Sequence, residues 1–242
     1  MGSTFREVFR QINFRFDLIF NLIFPRKCVH CNLEIENKKS QVCFGCESEI
    51  NWAGPFDNEL KNQILQNIYI QNVQSAHCLF SFSKEGVEQS LIHSLKYKDS
   101  KQTGINLGRR LGKLIIEKEK HQDITCLIPV PIFHKKKFNR GYNQAESIAR
   151  GLSLELNIPM RNKLIKKTKN TKSQTKLNKS QRSRNVENTF VASPALYEIK
   201  AIGIVDDVLT TGATIKEICK EIIKVNETIE ITIFTLGVAK HE

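Results

Sequence analysis

The chain has 242 residues, of which 40% are hydrophobic and 26% are charged. This composition excludes a disordered or fibrous chain, and the length predicts one main domain with room for a small second one. The formal net charge is +12, and its largest local excess lies at 161–184, where ten residues are Lys or Arg and none is acidic. Such a segment indicates an anionic partner, either a phosphorylated small ligand or a nucleic-acid backbone. A solvated, mobile loop whose charge only aids solubility has the same composition.

The first 24 residues are rich in phenylalanine but carry charges. The run FDLIFNLIF is broken or preceded by Arg6, Arg10, Arg15 and Asp17, so it lacks the roughly 18 uninterrupted apolar residues of a membrane span. No small-residue cleavage site follows, which argues against a secretory signal. We expect a cytoplasmic protein whose amphipathic N-terminal helix packs on its own body or on a partner. Peripheral attachment at the inner membrane face is the alternative.

Two Cys-x-x-Cys pairs, separated by eleven residues, occur in CVHCNLEIENKKSQVCFGC. Each such turn aims two sulfurs at one point, so this spacing predicts a closed structural Zn²⁺ site that folds a small ribbon-like subdomain. The predicted ligands are Cys28, Cys31, Cys43 and Cys46. His30 is a possible substitute ligand, and two disulfides are the alternative in an oxidising compartment.

Short apolar runs alternate with amphipathic segments over the rest of the chain. After a polar connecting stretch, the pattern predicts strands at 75–83, 124–132, 200–208 and 230–239. It predicts two helices within 85–119, broken around 97–104, and further helices at 141–157 and 213–226. Cys78, Cys126 and Cys219 have apolar neighbours and are expected in the core.

This alternation predicts an α/β fold with a parallel sheet flanked by helices. In such sheets, ligands bind beyond the carboxyl ends of the strands. Two candidate loops then meet at one edge, PVPIFHKKKFNRGYNQ and DDVLTTGAT.

Paired acids followed by small residues are the most informative local pattern. Val205 is expected to be the last apolar residue of its strand, so Asp206 and Asp207 would emerge at the binding edge. Carboxylates accept hydrogen bonds from vicinal hydroxyls, and the backbone N–H groups and hydroxyls of TTGAT at a helix start suit an anion. Gly212 permits close approach of the backbone to that anion. A sugar phosphate satisfies both halves of this pattern.

The stretch VDDVLTTGAT closely resembles the phosphoribosyl-diphosphate signature of type I phosphoribosyltransferases. Three further stretches, LIFPRKC, RGYNQAE and QTKLNKSQRSRNVENTF, extend the likeness to the ComF family, which comprises competence-protein-F and GntX-type proteins. The resemblance covers about residues 22–239. It implies a type I phosphoribosyltransferase-like fold preceded by a zinc-ribbon-like subdomain.

The resemblance also implies roles for particular residues. It places Asp206 and Asp207 on the ribose hydroxyls of 5-phosphoribosyl 1-diphosphate, with Mg²⁺ on the diphosphate. It assigns the 5-phosphate to Thr210, Thr211, Gly212, Ala213 and Thr214. It assigns the diphosphate to Arg140 with Lys135, Lys136 and Lys137, and Lys96 of Leu-Lys-Tyr could face the same site. Asn143 and Gln144 are either polar loop contacts or helix caps.

In the basic segment, Gln174, Leu177, Arg182 and Asn185 match the loop pattern of the family. Asn178 stands where the family pattern has Ser or Thr, which weakens any role for a hydroxyl there. The length and charge of the loop, at about 166–186, suit a lid that closes over a diphosphate.

The domain organisation that we predict is an N-terminal helix and four-cysteine zinc finger at 1–60, followed by the phosphoribosyltransferase-like domain at 75–242. The implied activity is a pentosyl transfer with an unidentified acceptor. The resemblance also implies involvement in natural transformation, with competence or recombination proteins as partners. A non-catalytic, single-stranded DNA-binding or adaptor protein is therefore the alternative.

Overall fold

A computed structural model describes residues 26–35, 40–53, 58–82, 85–97, 100–116, 123–169, 186 and 188–239. The predicted N-terminal helix therefore lies outside the described residues. The chain divides into two compact units, Met1–Glu49 and Ile50–Glu242.

In the described part of the first unit, a tight turn precedes a short helix. The Cys28 N–H donates to the Leu33 carbonyl at 2.7 Å, and the Asn32 N–H donates to the Cys28 carbonyl at 3.0 Å. Asn32 has a φ of 62°, a conformation that asparagine tolerates better than most residues. Helix α1 spans Phe44–Glu49. Each Cys-x-x-Cys pair therefore lies on a turn or at a helix start.

The second unit is built on a parallel sheet. Its strands, together with a separate antiparallel pair, are β1 Val73–Phe82, β2 Cys126–Pro129, β3 Ile165–Lys167, β4 Phe190–Ala192, β5 Ala201–Leu209 and β6 Glu230–Ala239. The described helices of this unit are α2 Asn58–Ile68, α3 Val87–Ser94, α4 Lys101–Ile116, α5 His134–Arg140, α6 Gln144–Leu156 and α7 Ala213–Val225. The strand order in the sheet is β1-β6-β5-β2, and every pairing is parallel.

Helices cover both faces of this sheet. On one face, Ile204 of β5 and Ile233 of β6 share a buried core with Ile64 of α2 and Ile218 of α7. On the other face, α4 packs closely against α6, and a Cβ added to Gly151 would lie 2.1 Å from the Ile105 carbonyl oxygen. The predicted parallel sheet flanked by helices is confirmed, and so is the burial of the three core cysteines, Cys78, Cys126 and Cys219.

Three local features differ from the sequence predictions. The polar connecting stretch contains α2, because Leu60, Ile64 and Ile68 recur at helical spacing and are buried. The loop after β2 contains the short helix α5. Strand β5 spans nearly the predicted range, but Val205 is not its last apolar residue, because Val208 and Leu209 also pair with β6 and the acid pair lies within the strand.

The basic segment begins and ends at the antiparallel pair β3–β4, which pairs Lys167 with Phe190. Residues 170–185, which include Gln174, Leu177, Arg182 and Asn185, lie outside the described residues. In the part of the chain that the structure describes, no helix is both long enough and apolar enough to cross a membrane.

Candidate functional site

A cavity of about 260 Å³ opens at the carboxyl ends of β2 and β5. Its walls come from the loop after β2, the start of α6, the end of β5 with the start of α7, and single lysines from β3 and from the residues after α3. Its charged lining residues among those described are Lys96, Arg140, Lys167, Asp206 and Asp207. The fold therefore brings the acid pair and Arg140 to one cavity although they are far apart in sequence.

The acid pair forms the floor of the cavity within β5. The Asp207 N–H donates to Asp206 Oδ1 at 2.9 Å, and the Val208 N–H donates to Asp207 Oδ1 at 2.8 Å. The Thr235 hydroxyl donates to the Asp207 carbonyl at 3.1 Å, which ties the acid segment to β6. Both aspartates are partly buried and line the cavity, so their carboxylates can accept further hydrogen bonds from a ligand.

The pKa of Asp206 lies well above its usual range. Burial disfavours the charged carboxylate, the adjacent Asp207 carboxylate repels it, and the positive charge of Lys167 acts in the opposite direction. A carboxyl group with a strongly raised pKa beside a polar cavity is typical of functional sites.

The turn from Thr210 to Gly212 connects the acid pair to helix α7. Gly212 precedes the helix with φ 72° and ψ 0°, a left-handed conformation that glycine adopts at little cost. Its carbonyl accepts from the Lys216 N–H at 2.8 Å. Gly212 is the N-cap residue of α7, and no side chain caps the helix there. Thr210, Thr211, Gly212, Ala213 and Thr214 all line the cavity.

The opposite wall is held by a hydrogen-bonded network at the start of α6. Arg140 Nη1 donates to Gln144 Oε1 at 2.9 Å, and Asn143 Nδ2 donates to the Val130 carbonyl at 3.0 Å. Asn143 occupies the N-cap position, but its side chain does not cap the helix. Of the two interpretations left open by the sequence, the structure favours polar loop contacts for both residues.

Two atoms of this network are buried without a hydrogen-bond partner among the described residues, Asn143 Oδ1 and Gln144 Nε2. Unpaired buried polar atoms are rare because each costs free energy. They lie in side chains that line the cavity.

Lys96 and Lys167 complete the lining from two further elements. Lys96 follows α3, and the neighbouring Leu95 carbonyl accepts a hydrogen bond from the buried Tyr142 hydroxyl, which joins α3 to the RGYNQ segment. Burial raises the pKa of Tyr142 to about 12, against the opposing charge of Arg140. Lys167 was missed as a site residue in the sequence, because it lies far before Asp206 in an apparently solvated lysine run. Only the pairing of β3 with β4 shows its location.

Of the lysine triplet at 135–137, the structure describes one side chain, so its contact with the diphosphate stays a prediction. Lys135 is exposed on α5 and is not among the described lining residues. Lys136 and Lys137 have their backbone in α5, and their side chains lie outside what the structure describes.

The four cysteines predicted as metal ligands form a cluster in the first unit. Their sulfur atoms all lie within 4.8 Å of one another, and the sulfurs of Cys31 and Cys43 are 3.6 Å apart. The pKa of Cys28 is lowered to about 6: burial acts to raise it, but backbone hydrogen bonds from Cys31, Cys43 and His30 prevail. Four sulfurs converging on one point are the donor set of a tetrahedral metal site.

The fold and the two sites define an α/β protein with a polar cavity at its sheet edge and a four-cysteine subdomain. No family model matches the chain. The chain is 31% identical over 217 residues to competence protein F of Haemophilus influenzae, an alignment that covers 81% of this chain and 90% of that protein. It is also 27% identical over 137 residues to the DNA utilization protein YhgH of Escherichia coli K12, an alignment that covers 55% of this chain and 60% of that protein. The DNA utilization protein YhgH of Shigella flexneri is 28% identical to this chain over the same number of residues. The chain belongs to the competence protein F family, as the sequence resemblance predicted.

Proposed function

We propose that the cavity binds 5-phosphoribosyl 1-diphosphate together with Mg²⁺. The single observation that carries this proposal is the convergence of an acid pair, a phosphate-type turn and a guanidinium on one cavity. Each group matches a different part of one sugar diphosphate, and together they match no simple anion, because the two carboxylates would repel it.

In this assignment, Asp206 and Asp207 accept hydrogen bonds from the ribose hydroxyls. The N–H groups and hydroxyls of residues 210–214 hold the 5-phosphate at the start of α7, where the helix dipole favours an anion. Arg140 faces the diphosphate, and Gln144 holds its guanidinium in place.

The lining offers carboxylate and amide oxygens, which are the donor types that Mg²⁺ takes alongside phosphate oxygens and water. Mg²⁺ on the diphosphate would stabilise its departure from the anomeric carbon. The contribution of the chain is then to bind and orient the sugar and to hold the leaving group. The acceptor of a pentosyl transfer is not identified by any described lining residue.

We propose Zn²⁺ for the four-cysteine cluster. Four cysteine sulfurs within 4.8 Å of one another leave no coordination position open for a substrate, so the metal would have a structural role.

Calorimetric titration with 5-phosphoribosyl 1-diphosphate in Mg²⁺ tests the cavity assignment. The unaltered chain should bind saturably, and the Asp206→Asn, Asp207→Asn double variant, shown to be folded by thermal denaturation, should not. Equal binding by both proteins, or none by the unaltered chain, would contradict the proposal.

Binding of single-stranded DNA is a second candidate function, favoured by exposed aromatic side chains among basic residues. Phe138 of the helix HKKKFNR is 86% exposed, and Tyr97, which follows Lys96, is 60% exposed. Bases stack on such side chains while cations contact the phosphates. In this function the chain would act with competence or recombination proteins, either in the cytoplasm or at the inner membrane face.

Fluorescence anisotropy with a labelled oligonucleotide tests this second candidate. Phe138→Ala should weaken binding about fivefold or more, as expected for loss of one stacked base. Replacing Lys166, Lys167, Lys169 and Lys172 by Gln should weaken it further and reduce the salt dependence. Tyr69→Ala, which removes an aromatic that is 89% exposed but lies at the end of α2, is the matched control. Equal affinity of the Phe138 and Tyr69 variants would contradict a stacking site on α5.

A further inference from the structure

A second cavity, which we call the side cavity, has a volume of about 200 Å³ and lies beside the RGYNQ segment. Its walls come from Lys101 at the start of α4, the turn at 141–143, the first two turns of α6, and Met160. Among the described residues, Asn143 is the one that it shares with the cavity at the sheet edge. Pockets for drug-sized ligands have volumes of roughly 300–1,000 Å³, so the side cavity suits a smaller molecule.

The polar residues of α6 that line the side cavity lie on one face of the helix. These residues follow the spacing i, i+3, i+4 and i+7, which brings side chains together on a helix surface. They are Asn143, Glu146, Ser147 and Arg150. Glu146 Oε1 accepts a hydrogen bond from Asn162 Nδ2 at 2.9 Å, which holds the carboxylate at the cavity wall. A carboxylate has about four acceptor positions, so Glu146 can accept further hydrogen bonds from a ligand.

Two cations line the side cavity, Lys101 and Arg150, and both are exposed. Neither side chain forms an ion pair with a described carboxylate. Lys101 is the first residue of α4, a helix of 16 residues with no acidic residue in its first turn. The partial positive charge at the start of a helix adds to the charge of the lysine, and both favour an anion. Because a guanidinium binds a carboxylate through two N–H groups, the two cations together suit a carboxylate.

Asn143 supplies an acceptor that lacks a donor. Its side chain is 6% exposed, and its Nδ2 donates to the Val130 carbonyl, but Oδ1 is buried without a partner among the described residues. A buried acceptor without a donor costs free energy, which a ligand N–H in the side cavity would recover. An ammonium group is the best donor, because Glu146 lies on the same face of α6 and supplies a negative charge.

Simple ions match only part of this arrangement. A phosphate or carboxylate ion would pair with Lys101 and Arg150, but it would face the Glu146 carboxylate and leave Asn143 Oδ1 without a donor. A simple amine would face two cations. A molecule with a carboxylate next to an ammonium group satisfies both sets of residues. The buried Tyr142 and Met160 supply apolar surface for the remainder of such a molecule.

We propose that the side cavity binds a free α-amino acid. Its carboxylate contacts Lys101 and Arg150, and its ammonium group contacts Glu146 and Asn143 Oδ1. This assignment does not depend on the proposed function of the cavity at the sheet edge. It gives the chain a second ligand site, which meets the first at Asn143.

Thermal denaturation with the common L-amino acids, each supplied singly, identifies the ligand. At least one should raise the unfolding temperature of the unaltered chain, and calorimetry should then show that it binds saturably. The matching amine without the carboxylate, and the matching acid without the ammonium group, should each bind about tenfold or more weakly. This is the loss expected when one charge-assisted contact is removed.

Arg150→Gln and Glu146→Gln should each weaken binding of that amino acid about tenfold or more. Arg109→Gln is the matched control, because Arg109 is an exposed arginine of α4 outside the described lining of the side cavity. The Asp206→Asn, Asp207→Asn double variant should bind as the unaltered chain does, since neither aspartate lines the side cavity. Thermal denaturation without ligand checks that each variant is folded.

Four results would overturn the proposal. The first is that no L-amino acid binds the unaltered chain. The second is an equal effect of Arg150→Gln and Arg109→Gln, which would place the ligand elsewhere. The third is loss of binding in the double aspartate variant, which would place the amino acid in the cavity at the sheet edge. The fourth is equal affinity for the amino acid and its matching amine or acid, which would show a site for simple ions.

Discussion

The cysteine cluster and the cavity differ in how their residues are distributed along the chain. The four cysteines lie within 28–46, and their sulfurs come together from a local turn and the start of a short helix. The cavity draws on residues from Lys96 to Ile215, supplied by several separate elements. A site of the first kind depends on local structure and, in our proposal, on Zn²⁺, whereas a site of the second kind depends on the whole sheet. The two should therefore respond to different perturbations.

Removal of metal should have the largest effect, and it should be confined to the first unit. A structural zinc site contributes on the order of 10 kcal/mol to the folding of its subdomain. Chelation, or Cys28→Ser with Cys31→Ser, should abolish hydrogen-exchange protection of the backbone amides of Cys28 and Asn32. Unchanged protection after verified metal loss would show that the turns hold without it.

Gly212→Val should reduce the affinity for 5-phosphoribosyl 1-diphosphate by about a hundredfold. A β-branched residue at φ 72° is strained, so the turn that precedes α7 must change its shape. Calorimetry measures the effect. Gly45→Val is the control, because a Cβ at Gly45 meets no atom within 4 Å and that residue lies in the first unit. If the Gly212 variant binds with unaltered affinity, the turn at residues 210–214 is not part of the binding site.

Gln144→Ala should weaken binding of the same ligand by about three- to tenfold. The substitution removes the acceptor that orients Arg140, at a cost of roughly one hydrogen bond. Gln102→Ala provides the comparison, since Gln102 makes a similar 3.0 Å side-chain hydrogen bond to Asn106 on the exposed face of α4. Equal affinities of the two variants would mean that Arg140 needs no positioning by Gln144.

Asp206→Asn should show the smallest effect, an increase of about 1 kcal/mol in the free energy of unfolding at neutral pH. The pKa of Asp206 is raised in the folded state, so the folded chain holds this proton more tightly than the unfolded chain. Stability from this group is therefore present at low pH and is lost as the pH rises from the usual carboxyl range through the raised pKa. The free energy of unfolding of the variant should lack this dependence on pH. Denaturation of both proteins at several pH values measures it. A parallel pH dependence in both proteins would contradict the raised pKa.

The sequence was sufficient to predict features that depend on local patterns. The two knuckles, the apolar strands and the turn at Gly212 each follow from residues a few positions apart. The α/β fold and the family were predicted for the same reason. The domain boundaries at 60 and 75 and the roles of individual site residues stay predictions.

The sequence did not predict features that depend on pairing between distant segments. The location of Asp206 and Asp207 within β5, with apolar strand residues on both sides, depends on the ladder with β6. The location of Lys167 depends on β4, and the orientation of Arg140 depends on which side chain accepts its hydrogen bond. No local pattern distinguishes Lys167 from Lys166, because the difference lies in which face of the hairpin meets the cavity.

The structure of the chain with bound 5-phosphoribosyl 1-diphosphate and Mg²⁺ tests the central claim most directly. The account predicts the 5-phosphate on the turn at residues 210–214, the ribose hydroxyls on Asp206 and Asp207, and the diphosphate on the side of Arg140. A ligand bound outside this cavity, or one whose diphosphate occupies the turn, would contradict it.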